Sequence, residues 1–145
     1  LLKEDFLRIY GEVNIEILEA AKFFAEKMLT PEEREYLDLE INWAYDPNDA
    51  AECVLEDDDL APRCFAINLH PANTEHHPIQ ALAHEMVHVR QYVTGQLRQV
   101  DGTMYWNDMV IDMDTVSYFD LPWEIEAHQL EEGLFEDFLS EEVIV

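Results

Sequence analysis

Apolar side chains along this chain recur in more than one rhythm, and each rhythm predicts its own kind of element. Between Leu2 and Met28, the residues Leu2, Phe6, Ile9, Val13, Ile17, Ala20, Ala21 and Phe24 return at steps of three and four, with Glu and Lys among the residues between. Such spacing lines one face of a 3.6-residue turn, so an amphipathic helix is expected here, with a break near Gly11. "TPEE" follows, with Thr30 as N-cap, Pro31 at the first helical position and Glu33 to complete a capping box, which predicts a short helix to about Leu39.

The segments "INWAYD", "AECVLED" and "RCFAINLH" are separated by the turn-forming "PND" and "DDDLAP". They predict a small antiparallel meander, with "CFAINLH" at the edge of the sheet. After the loop "PANTEHHP", a helix should run from Pro78 to a glycine stop at Gly95. Residues 97–121 hold no sustained period and are expected as a long irregular connection with one strand at "MVIDM". The last helix starts with Pro122 and runs to about Leu139, with Ile125, Leu130, Leu134 and Phe138 facing inward. The fold class is therefore α+β: a short, mostly antiparallel sheet packed on the 78–95 helix, with helices at both ends of the chain. One domain is expected over 1–145, helical in 1–40, stranded in 41–70, and closed by the 122–140 helix.

Charge narrows the functional classes. Eight Lys and Arg stand against 33 Asp and Glu, a formal −25. That field repels phosphate backbones and anionic membranes and favours cations and basic partners, so neither nucleic-acid nor membrane binding is expected. No eighteen-residue apolar run is present and "LLKEDFLRIY" lacks the order of a signal peptide, which makes a soluble, cytoplasmic setting the expectation. Cys53 and Cys64 fall on adjacent expected strands and are expected as free thiols.

The 78–95 helix interrupts its own apolar pattern with His84, Glu85 and His88, an H-E-x-x-H motif. Four residues on a helix bring both imidazoles to one face, where they can grip one ion. Glu85 lies about 100° round the helix from His84, placed to hold a water beside the metal rather than to ligate it. Chance is a weak explanation, since a shuffled chain of this composition would carry the motif about 0.03 times. Catalytic zinc takes three protein ligands and keeps a position open. The extended form with Gly and a third His is excluded, because those positions hold Gln91 and Thr94. Downstream, "PWEIEAH" offers Glu124, with Glu126 as the rival third ligand; the two project roughly 200° apart on a helix, so only one can face the site.

The motif pair resembles the gluzincin branch of the zincin-fold zinc metallopeptidases, including their very small single-domain members, over about residues 60–140. The resemblance implies His84 and His88 as ligands of one zinc ion, Glu85 as catalytic base and Glu124 as third ligand. Ala127 then takes the small position of the branch's E-x-x-A-D pattern. The supporting Asp of that pattern is replaced by His128. His128, Tyr118 and Tyr105 are candidates for a group that supports the ligands or polarises a substrate carbonyl. His70, His76 and His77 read as polar loop residues and a helix cap. The implied activity is hydrolysis of a peptide or protein substrate, with basic sequences suggested by the acidic field. The competing reading is a non-catalytic acidic protein that docks a basic partner or mimics nucleic-acid charge. A purely structural zinc fits poorly, since closed sites usually include cysteine ligands.

Overall fold

The computed structural model describes residues 2–11, 15–43, 51–57, 61–69 and 77–143. The α+β class is observed, with four α-helices and two sheets among these residues.

The chain opens with strands rather than a helix. β1 (Leu2–Glu4) and β2 (Leu7–Tyr10) form a hairpin turned at Asp5, whose φ is 50°. Leu7 and Ile9 are fully buried while Arg8 and Tyr10 are half-exposed, a two-residue alternation that overrides the three-and-four spacing of Phe6 and Ile9. Helix α1 (Ile15–Met28) buries Ile17, Ala20, Ala21 and Phe24 as their spacing predicts. The expected Val13 lies outside the described residues.

Helix α2 (Pro31–Tyr36) carries the predicted capping box: Glu33 N–H donates to Thr30 Oγ1 at 3.1 Å and Thr30 N–H to Glu33 Oε1 at 2.8 Å. It stops three residues short of Leu39 because β3 (Asp38–Trp43) claims Asp38 and Leu39 for the sheet. β4 (Glu52–Leu55) and β5 (Cys64–Leu69) complete a sheet of order β1-β2-β3-β5-β4. β2, β3 and β5 run parallel, with antiparallel strands at each edge. The expected meander is corrected twice: β3 and β5 are parallel, and β5 lies inside the sheet while β4 forms its edge. Phe65, Ala66, Ile67 and Leu69 are all buried, the continuous apolar run of an internal strand. Cys53 pairs with Ile67 rather than Cys64, and both thiols are free.

Helix α3 (Pro78–Val93) begins on His77, whose Nδ1 accepts from Ile79 N–H, and ends before Gly95, whose φ is +80°. His70 and His76 lie outside the described residues. α3 packs on β4 and β5, on α1 and on helix α4 (Pro122–Val143), so the helix with the motif occupies the centre of the molecule.

Residues 97–111 are not an irregular connection. β6 (Leu97–Val100), β7 (Thr103–Trp106) and β8 (Met109–Ile111) form a second, antiparallel sheet. Two-residue turns join them at Asp101-Gly102 and Asn107-Asp108, with positive φ at all four residues. Those are primed turns, which match the twist of short hairpins. This sheet builds a satellite core in which Leu97, Leu121 and Trp123 are buried against Met104, Trp106 and Ile111. It thereby anchors the start of α4. Along α4, Glu124, Ala127, Glu131, Leu134 and Phe138 face inward at steps of three and four. Ile125 is out of phase with them and exposed, contrary to its expected inward position.

Candidate metal centre

All the buried polar and charged side chains among the described residues are His84, Glu85, His88 and Gln91 on α3 and Glu124 and Glu131 on α4. Buried polar groups are costly unless they satisfy one another or a ligand. Here they meet at the crossing of the two helices, where Ala127, with no exposed surface, lets the backbones approach.

The four-residue step on α3 puts the His84 and His88 rings 4.9 Å apart. Their Nε2 atoms lie 2.9 and 3.3 Å from one and the same oxygen, Glu124 Oε1. Glu85 lies on the same helix with donor atoms of His84 and His88 all within 4.8 Å of its own. It is buried and makes no hydrogen bond or ion pair among the described residues. Glu126 turns away: it accepts from Gln91 Nε2 at 3.2 Å and Gln96 Nε2 at 3.3 Å and lies 3.5 Å from Arg90. Of the two rivals, the structure brings Glu124 to the histidines.

Two supports of the imidazoles escape sequence reasoning. His88 Nδ1 lies 2.7 Å from Gln91 Oε1, and Gln91 Nε2 donates to the Trp123 carbonyl at 3.0 Å, tying α3 to the start of α4. Glu131 Oε1 lies 3.4 Å from His84 Nδ1 and 2.7 Å from His128 Nδ1, while its Oε2 accepts from Gln80 Nε2 at 3.1 Å. The buried carboxylate beside His84 is thus supplied two turns beyond Glu124, and His128 fills the position between. The signal was present in the spacing, since Gln91 and Glu131 continue the inward faces marked by His88 and Glu124.

Electrostatics follow from crowding charges out of water. Burial alone would lower the His84 and His88 pKa values, but the hydrogen bonds and charge of Glu124, with the charge of Glu85, outweigh it and raise both. Burial raises Glu124 as well, yet the two histidines dominate and hold its carboxyl far below the usual range. Glu85 has burial without a bond to offset it, and neighbouring Glu124 and Glu131 add to the effect of burial over the pull of the histidines; its pKa rises to about 7. Tyr118 O–H donates to Glu124 Oε1 at 3.0 Å. Burial and then the nearby carboxylates push that phenol well above its ordinary value, so it stays a neutral donor at the rim. Tyr105 is elsewhere, on β7 with the Arg98 guanidinium 5.2 Å from its ring centroid. Cys53, on the edge strand, has its thiol pushed up by burial and then by Glu85, Glu52 and Glu124, which places it within the field of the same site.

The donor set suits a divalent ion of borderline softness: two imidazole Nε2 atoms converging on one carboxylate oxygen, with a second buried carboxylate, Glu85, beside them. Comparison with known proteins adds no identification, as no described family, curated protein or solved structure matches the chain. Among the described residues, no helix is long and apolar enough to cross a membrane.

Proposed function

We propose that the chain is a zinc-dependent metallopeptidase. The observation that carries this reading is the convergence of His84 Nε2 and His88 Nε2 on one oxygen of Glu124, with Glu85 buried alongside and unpaired among the described residues. Two imidazoles and a carboxylate are one of the ligand sets of catalytic zinc. A bound zinc ion supplies Lewis acidity and an acidified water.

The remaining work falls to this chain's own groups. Glu85, buried beside the two histidines, can accept a proton from water and return it to the departing amine, so no covalent intermediate with the protein is needed. Tyr118, a neutral donor at the rim, can give a hydrogen bond to a substrate oxygen as negative charge grows there. Glu131 and Gln91 hold the Nδ1 atoms of His84 and His88 and so fix which ring atoms face the ion. The substrate is a peptide or protein, and the −25 charge supports basic sequences among its targets. Metal analysis of the purified chain tests the reading. One equivalent of zinc is expected, lost when His84 and His88 are both replaced by Ala; a chain that takes up no zinc on reconstitution would overturn it.

A further inference from the structure

A third imidazole stands at this site, and its surroundings match those of the two in the motif. His128 follows Glu124 by four residues on α4, the same step that separates His84 from His88 on α3. Each helix therefore presents a pair of donors to the crossing. The His84 and His128 ring centroids are 4.6 Å apart, closer than those of His84 and His88. One donor atom each from His84, Glu124 and His128 all lie within 4.8 Å of one another.

The second shared property is how the rings are held. His84 and His88 each have Nδ1 beside a buried acceptor, Glu131 or Gln91. His128 Nδ1 lies 2.7 Å from Glu131 Oε1, in a shorter contact than the one His84 makes with the same oxygen. An imidazole that donates from Nδ1 leaves the Nε2 lone pair for a cation, the arrangement by which proteins prepare histidine ligands. A rim histidine with no ligand role has no need of a carboxylate that is only 4% exposed. His128 also differs from the other two in one respect: its side chain is 43% exposed, against 9% for His84 and 8% for His88. It is the one ring of the three with room to leave.

We propose that His128 is a further, displaceable ligand of the same ion, joining His84, His88 and Glu124 through Nε2, so that the resting site is closed by three imidazoles and a carboxylate. The proposal rests on the zinc reading above. Release of His128 opens the position that hydrolysis requires, and the open side of the site is set by a residue of α4 rather than by solvent alone.

X-ray absorption at the zinc edge of the zinc-loaded chain reads the number of coordinated imidazoles without any variant. Three are expected, falling to two in His128→Ala with zinc affinity lower by about tenfold or more. His88→Ala should still bind one ion through His84, Glu124 and His128, and the double variant lacking both His88 and His128 should not. Two imidazoles in the unaltered chain, with unchanged affinity in His128→Ala, would overturn the proposal and leave the zinc reading standing. No zinc on the unaltered chain would overturn both.

Discussion

His88 Nδ1 lies 2.7 Å from Gln91 Oε1 within α3, and no part of Gln91 is exposed. Because Gln91 also donates to the Trp123 carbonyl at 3.0 Å, one amide orients an imidazole and fastens the two site helices together. Replacing Gln91 with Leu removes both functions and strands two buried polar groups. The expected cost is about 1–3 kcal/mol of folding stability per stranded group, with zinc affinity reduced about 10–100-fold. Urea unfolding and a competitive chelator titration measure the two effects; a variant that weakens neither would show that His88 is not oriented through Gln91.

Ala127 and Ile125 provide a paired test of the helix crossing. Ala127 has no exposed surface between Glu124 and His128, whereas Ile125 is 42% exposed. Ala127→Leu should overpack the crossing, costing about 1–3 kcal/mol, and push Glu124 away from the histidines, so zinc affinity should fall with stability. Ile125→Lys, on the outer face of the same helix, should change stability by less than about 0.5 kcal/mol. Equal effects of the two substitutions would place the α3–α4 contact on a different face of α4.

The helix phase also shows what the sequence made legible. The motif helix and the capping box at Thr30 could be read because each has a local signature at fixed spacing, whereas Glu124 near the H-E-x-x-H segment was implied by the family resemblance, with Glu126 as its rival. The N-terminal hairpin was hidden because Phe6 and Ile9 satisfy a helical step while Leu7 and Ile9 satisfy a strand step, and only pairing with β3 decides between them. β6 to β8 are three or four residues long, too short to show a period, although Asp101-Gly102 is a hairpin signal that outweighs the missing periodicity. Glu131 and Gln91 carry no motif. In so acidic a chain, one more glutamate gains meaning only when the helix face it occupies is known.

A pH dependence follows from Glu85. Its native carboxyl titrates near pH 7, above the ordinary value of 4.5 that it regains on unfolding. Between those values the native state holds a proton that the unfolded chain has lost, so the Glu85 contribution makes metal-free protein less stable as pH rises from about 4.5 to about 7. The full effect is on the order of 3 kcal/mol. The difference between unaltered chain and Glu85→Gln reports the Glu85 titration together with its coupling to His84 and His88, whose pKa values the Glu85 charge raises. In chelator, the advantage of Glu85→Gln should grow across this window in urea unfolding; parallel stability curves would contradict a buried, unpaired Glu85.

The central claim is that this cluster is a hydrolytic zinc site with Glu85 as its base. Its most direct test compares zinc-loaded unaltered chain with Glu85→Gln on a mixed peptide library, reading new termini by mass spectrometry and zinc by elemental analysis of the same samples. The account predicts one zinc on both proteins, cleavage by the unaltered chain, and loss of at least about a hundredfold of that cleavage in Glu85→Gln. Equal cleavage by both zinc-loaded proteins, or none by the unaltered chain, would contradict it.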